Sequence, residues 1–211
     1  MAHDNYFANP TQTWDACFGG PDFLFGIEPN AYLAGHRALL AAGKSALAVA
    51  DGEGRNSVWL ARQGLQVDAF DISPVGVAKA DELARRDGVS VNLHVCDCDS
   101  WDWRPEAYDV VVAVFVQFAG PEMRRRLFAG MAATLKPGGY LIVHGYTPRQ
   151  LDYKTCGPGL LGNLYTVDMM REAFAALEIV ELREYDSVLA EGTQHVGPSA
   201  LLGLVARKPI T

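Results

Sequence analysis

From about residue 37 onward the chain alternates short apolar runs with amphipathic stretches. Ala46-Leu-Ala-Val-Ala50 is an apolar run of strand length that ends in Asp51-Gly-Glu-Gly54. Arg55 to Gln63 then places its apolar residues at helical spacing and stops at Gly64, a residue type that closes helices in a left-handed conformation. The same unit recurs. Val67 to Asp71 predicts a second strand, and Ser73-Pro74 supplies an N-cap and first helical position for a helix ending near Gly88. Val91 to Asp97 reads as a third strand, and Tyr108 to Phe115 is the continuous apolar run of a strand covered on both faces. Pro121 opens a helix whose Met123, Leu127, Phe128, Met131 and Leu135 form one side, with Arg124, Arg125 and Arg126 read as the wet side. Lys136-Pro-Gly-Gly139 ends it, Tyr140 to His144 is a fifth strand, and Thr166 to Leu177 is helical again. Ile179 to Leu189 and Ala200 to Arg207 read as two strands joined by a Gly/Pro-containing loop, and the absence of a helix between them favours an antiparallel pair. Residues 1–30 read as an irregular opening rich in aromatics, Gly, Asn and Pro.

Strands alternating with helices predict an α/β fold, a doubly wound, mostly parallel seven-stranded sheet with one antiparallel strand near the C-terminus. In such sheets ligands sit beyond the carboxyl ends of the strands, so the residues just after each strand are the ones to inspect.

Composition narrows the classes of ligand. The 211 residues carry 18 Lys+Arg against 25 Asp+Glu, a net charge of −7, which suits a single domain and argues against a broad nucleic-acid-binding face. No apolar run approaches the roughly 18 residues of a membrane span, and Met1-Ala2-His3-Asp4-Asn5 lacks the pattern of a signal peptide. The expectation is a cytoplasmic protein without membrane or nucleic-acid partners. Cys17, Cys96, Cys98 and Cys156 form no zinc-type spacing and read as reduced thiols, with no metal site.

The strand ends carry the candidate chemistry. After the first strand, Gly52 and Gly54 let the backbone turn sharply and approach a ligand beside the N-terminus of the next helix. Asp71, ending the second strand, is placed to accept hydrogen bonds from both hydroxyls of a ribose, although an acid there also caps turns. Asp97 and Cys98 end the third strand, where a carboxylate can accept from an adenine amine and the next backbone N–H can donate to the ring. Together these describe an adenosine-containing ligand. A dinucleotide fingerprint wants a third glycine or alanine where this chain has Ser57, and Asp51 and Glu53 in the turn would repel a diphosphate. A ligand carrying a sulfonium and an ammonium group would tolerate or welcome them, as S-adenosylmethionine does.

Over roughly residues 14–208 the chain resembles the class I S-adenosylmethionine-dependent methyltransferases, and within them the small tellurite-resistance-type enzymes. The carriers are Gly52-Glu-Gly-Arg-Asn-Ser57 with Trp59-Leu-Ala61, Val67 to Ser73, Asp97, Tyr108-Asp109, Lys136-Pro-Gly-Gly-Tyr140 and Phe25-Gly-Ile-Glu-Pro-Asn30. The resemblance implies residues 1–36 as an N-terminal lid or substrate-side segment and residues 37–211 as the cofactor-binding domain. It implies Ala50, Asp51, Gly52 and Asn56 around the methionine part, Asp71 at the ribose, Ile72 on one adenine face, Asp97 and Cys98 at the adenine edge, and Val114 on the route to the methyl group. The chain departs from the pattern at Ala48, where the family carries an acid, and at Ala50, where it carries glycine. Asp51 is the candidate substitute for that acid.

The implied chemistry is in-line transfer to a small acceptor: a thiol, a chalcogen oxyanion, an amine or a hydroxyl. The acceptor pocket is expected from residues 5–30, from His144 to Tyr165 and from Glu191 to His195. Within it Tyr146 and His195 are the candidates for a proton acceptor or acceptor-orienting group. Trp14 is a candidate lid aromatic. Two other readings stand beside this one: a dinucleotide-dependent oxidoreductase, and a protein that binds S-adenosylmethionine without transferring its methyl group.

Overall fold

The first strand, β1 (Ser45–Val49), is apolar after Ser45 and lies inside the sheet, between β2 (Gln66–Asp71) and β4 (Tyr108–Val114). The computed structural model describes residues 9–210. Beyond β2 lies β3 (Asn92–Val95), and beyond β4 come β5 (Leu135–Tyr146), β7 (His195–Arg207) and β6 (Glu178–Glu191), giving the order β3-β2-β1-β4-β5-β7-β6. The first five strands are parallel, and β7 alone runs against both of its neighbours. This is the Rossmann-like arrangement that the alternation of strands and helices predicts.

Successive side chains of each strand go to opposite faces, so the sheet feeds two cores. Leu47, Val49, Val111, Ala113, Leu141 and Val143 pack with Leu127, Phe128 and Met131 of α5 (Pro121–Thr134) and Met170 of α7 (Val167–Ala173). Ala46, Val110, Val112 and Ile142 pack on the other side with Leu33 of α2 (Ala31–Gly35) and Leu60 of α3 (Arg55–Arg62). Each fully buried Leu or Phe contributes about 1.5–3 kcal/mol relative to exposure. The helix α4 (Pro74–Arg86) is capped by Ser73, whose hydroxyl accepts from Gly76 N, and Pro74 sits at its start. α4 approaches the first turn so closely that a Cβ on Gly54, already at φ +89, would overlap Ala80. Gly54 is therefore required both for its left-handed backbone and for helix packing.

Three regions differ from the sequence expectation. The opening is not irregular throughout: α1 (Pro10–Phe18) forms with Asn9 as N-cap and Pro10 in its first turn, and Phe18 packs against Gly52 and Gly76. Residues 1–8, the first part of that opening, lie outside the described residues. The Gly/Pro segment after Leu189 is not a loop either. β6 and β7 continue through it to Glu191↔His195, leaving Gly192-Thr193-Gln194 as the hairpin turn. Pro198 is tolerated because β5 pairs with β7 only from Leu201 onward, so this stretch has a strand on one side alone. Finally, Arg124 is not on the wet side of α5. It is buried and donates from Nη1 to the carbonyl of Gly162 at 2.7 Å, fastening the loop that follows β5.

Candidate active site

The carboxyl ends of β1, β2, β3, β4 and β5 open into one cavity of about 1130 Å³. It brings together all the residues that the sequence places around a cofactor: Ala50, Asp51, Gly52, Asn56, Asp71, Ile72, Asp97, Cys98 and Val114. Tyr146 and His195 line it as well. The opposite wall comes from α1 and the segment after it, through Trp14, Phe18, Leu24 and Phe25, and from the loop 155–160.

The turn after β1 is held by its own acids. Ala50 adopts φ +48, the conformation for which glycine is the usual residue, so this position keeps the backbone of the family pattern without its glycine. Asp51 Oδ2 accepts from Ser57 N at 3.3 Å. Burial pushes the Asp51 carboxyl up to about 7, with the Ser57 hydrogen bonds pulling back and the neighbouring Asp71 adding to the rise. Asp71 accepts from Gly52 N and Ser73 N, both at 2.9 Å, and burial raises it against those two bonds. Asn56 accepts from Asn30 N at 3.0 Å and so ties the N-terminal segment to α3.

Glu53 behaves differently from its neighbour Asp51. It does not line the cavity: its two oxygens take Leu24 N at 2.7 Å and Lys79 Nζ at 2.6 Å. Of the two acids in the turn, Asp51 alone faces the cavity, while Glu53 is a neutralised clamp. Asp97 is a turn cap, accepting from Asp99 N, Ser100 N and Ser100 Oγ at 2.8–2.9 Å, yet it still lies on the cavity wall. The Cys98 thiol is pushed up to about 12, by burial first and then by the acids around it, so it stays protonated.

At the other end of the cavity Tyr146 is fixed from two sides. Gln117 donates to Tyr146 O at 2.9 Å and to Asn163 O at 3.1 Å, and accepts from Tyr146 N at 2.6 Å. The Tyr146 hydroxyl lies 3.1 Å from Cys156 Sγ, and burial raises its pKa far above the usual phenol value. The His195 ring is held between Phe25, stacked at 4.4 Å, and Phe115 at 4.2 Å. Phe115 sits at φ +54, an uncommon conformation for an aromatic residue and one that clusters at functional sites. His144, expected in this pocket, belongs instead to a second cavity of about 400 Å³ with Tyr32 and Tyr185. Burial there pushes it down to about 3.

Sequence reasoning missed the partner of His195. Glu191 Oε2 lies 3.6 Å from His195 Nδ1 and 2.8 Å from Arg55 Nη2. Against the cost of burial, His195 and Arg55 hold the Glu191 carboxyl down at about 2. Arg55 also donates to the carbonyl of Phe25 at 3.2 Å. The run Gly54-Arg-Asn-Ser57 holds Arg55 in plain view, but nothing local in it indicates an ion pair with the far end of the chain. Trp14 lines the cavity while stacking on Phe18 at 5.4 Å, so its packing and cavity-facing roles coexist.

Residues 46–139 match the methyltransferase domain family. No curated protein sequence matches the chain closely enough to count as a relative. Among solved structures, the one reported for the conversion of a disulfide bond into a thioacetal group during echinomycin biosynthesis is similar with a TM-score of 0.75 at 19% identity, covering 96% of this chain and 93% of that one. TehB from Haemophilus influenzae is similar at 0.69 and 16% identity, over 94% of this chain and 66% of that one. N-methyltransferase NodS from Bradyrhizobium japonicum WM9, in complex with S-adenosyl-L-homocysteine, is similar at 0.70 and 16% identity, over 95% and 99%.

Proposed function

We propose that this class I S-adenosylmethionine-dependent methyltransferase passes the methyl group to a small acceptor molecule, a thiol, chalcogen oxyanion, amine or hydroxyl, enclosed in the cavity at the carboxyl edge of its sheet. The observation that carries the reading is that one cavity joins the strand-end residues to Tyr146 and His195. Its volume of about 1130 Å³ exceeds the ~300–1,000 Å³ of an ordinary small-ligand site, which supports room for two molecules.

The residues fit the cofactor. Asp51 and Asp71 are carboxylates without an ion-pair partner among the described residues, beside a turn whose glycines admit a close approach. Asp71 would take the ribose, Asp51 with Ala50, Gly52 and Asn56 the methionine part, Ile72, Asp97 and Cys98 the adenine, and Val114 the route to the methyl group. When bound, S-adenosylmethionine supplies an electrophilic methyl carbon on a sulfonium. The chain's own part is to hold the acceptor in line and keep out water. Phe25 and Phe115 wall the acceptor end, and the protonated Tyr146 hydroxyl orients an acceptor lone pair there. The N-terminal segment would act as the lid or substrate-side segment, and in its described part Phe23 to Gly26 lie on the β6–β7 turn, with Thr193 N donating to Leu24 O at 2.9 Å.

Small acceptors from the metabolite pool suit the net charge of −7 better than a nucleic acid does. Among the described residues no helix is long and apolar enough to cross a membrane. Cys96, Cys98 and Cys156 form no disulfide among the described residues, which fits a reducing cytoplasm. The test is isothermal titration with S-adenosyl-L-homocysteine, with NAD beside it. Micromolar binding of the first and none of the second is expected; the reverse would sink the reading and restore the oxidoreductase.

A further inference from the structure

We propose that His195 is the general base of the transfer, that Glu191 and Arg55 are its positioning residues, and that the acceptor therefore arrives carrying a proton it must lose, as a phenol or a thiol does. The inference rests on the methyltransferase reading above and narrows its acceptor class.

The geometry begins in the strand register. Glu191 and His195 are directly paired across the β6–β7 hairpin, so their side chains share a face and meet. His195 Nδ1 is buried without a hydrogen bond among the described residues and lies 3.6 Å from Glu191 Oε2, an oxygen that already has Arg55 Nη2 at 2.8 Å. A buried, unpaired ring nitrogen that faces a carboxylate at this separation describes a hydrogen bond that tightens when the site closes on its ligands. A carboxylate at Nδ1 keeps the proton on that nitrogen and leaves Nε2 as the lone-pair acceptor. Nε2 is the ring nitrogen left to the cavity, because Phe25 and Phe115 cover the ring and Nδ1 faces Glu191.

Arg55 completes the arrangement. A lone carboxylate beside a buried imidazole would favour its protonated form and remove the base. Arg55, 2.8 Å from the same Glu191 oxygen, offsets that negative charge, so the carboxylate orients the ring without holding it as a cation. Burial lowers the His195 pKa further, against the upward pull of Glu191. Tyr146, the other candidate, serves as donor rather than base, because its phenol is raised and its hydroxyl is held by Cys156.

The step balances without a further reactant. His195 Nε2 takes the proton of the acceptor X–H, the X lone pair forms the bond to the methyl carbon, and the electron pair of the broken C–S bond returns to sulfur. The imidazolium so formed lies against Glu191 and later releases its proton to solvent.

The experiment is nitrogen NMR of the protein labelled with 15N-histidine, saturated with S-adenosyl-L-homocysteine, between pH 6 and 9. His195→Gln identifies the resonance. Among the described residues, the charged or titratable groups around this ring are Glu191 on β6, Arg55 on α3, and Tyr146 and His144 on β5, with Cys156 in the following loop on the Tyr146 hydroxyl. The expected result is a neutral ring protonated at Nδ1 with Nε2 bare. In Glu191→Gln the ring is expected to lose that single tautomer and its pKa to fall by half a unit or more. Arg55→Lys, which keeps the charge, should preserve the tautomer. A ring that is protonated at pH 7–8, that carries its proton on Nε2, or that is unchanged by Glu191→Gln overturns the proposal. Calorimetric binding of S-adenosyl-L-homocysteine, run on each variant, separates this failure from failure of the methyltransferase reading, which would appear as no binding by the wild type.

Discussion

Asp109 at one edge of the sheet and Asp51 and Asp71 at the other are treated in opposite ways. At the amino edge, Asp109 on β4 accepts from Lys136 at 2.9 Å, Lys44 at 3.1 Å, and Ser45 N and Oγ at 3.0 and 2.9 Å. Burial opposes its charge, but these donors outweigh burial and hold the carboxyl well below the usual range. At the carboxyl edge, Asp51 and Asp71 receive backbone N–H bonds and, among the described residues, no ion-pair partner, and burial raises both. An acid that is neutralised within the fold stabilises it. An acid left without a cation in a cavity costs stability and is available to a cationic ligand.

Substitutions at the three acids sharpen or break this contrast. The largest effect is expected from Asp71→Ala, which removes the carboxylate at the ribose position. S-Adenosyl-L-homocysteine should bind at least about 100-fold more weakly, roughly 3 kcal/mol, as for the loss of charge-assisted hydrogen bonds. Calorimetry with circular dichroism as a folding check reads this, and a change under five-fold would leave the raised acid without a ligand role.

Asp109→Asn comes next and acts on stability alone. It should cost about 2 kcal/mol at pH 7, or about 4–8 °C in melting temperature for a chain this long, with cofactor affinity unchanged. A depressed carboxyl stabilises the fold above its unfolded-state pKa and loses that contribution as pH falls through its folded value. The difference between variant and wild type should therefore vanish in acid.

Asp51→Asn should give the smallest effect, with the opposite sign. A raised carboxyl loses its relative stabilisation as pH rises through its folded value, here about 7. The variant should thus be more stable than wild type by on the order of 1 kcal/mol at pH 8 and equal to it near pH 4, by thermal melts. The wild type should also bind S-adenosylmethionine more weakly as pH drops below about 7, where Asp51 takes up its proton. Stability unchanged across that range would remove Asp51 from the comparison.

Much of the carboxyl edge was legible because its signals are local. The run from β1 through α4 is punctuated by Gly54, Gly64 and Ser73-Pro74, each of which acts on its own backbone, and the structure follows them. The same punctuation, Asn9-Pro10, stands before α1, and was hidden by the aromatic and glycine-rich stretch that follows it. The β6–β7 hairpin was illegible for the opposite reason. Gly192, Gly197 and Pro198 are turn residues by propensity, and only pairing along the whole of β6 draws them into strand.

By itself the sequence determined the alternation of strands and helices, the sheet with its antiparallel strand, and which residues stand at the strand ends. Periodicity and turn chemistry act within a few residues, so they can be read in order along the chain. The tertiary structure alone decided that Glu53 serves the fold while Asp51 faces the cavity. It also decided that Arg124 is buried, and that Arg55, Glu191 and His195 meet. Those outcomes depend on which distant segment removes water from a group and offers it a partner, and desolvation and pairing exist only once the segments are assembled.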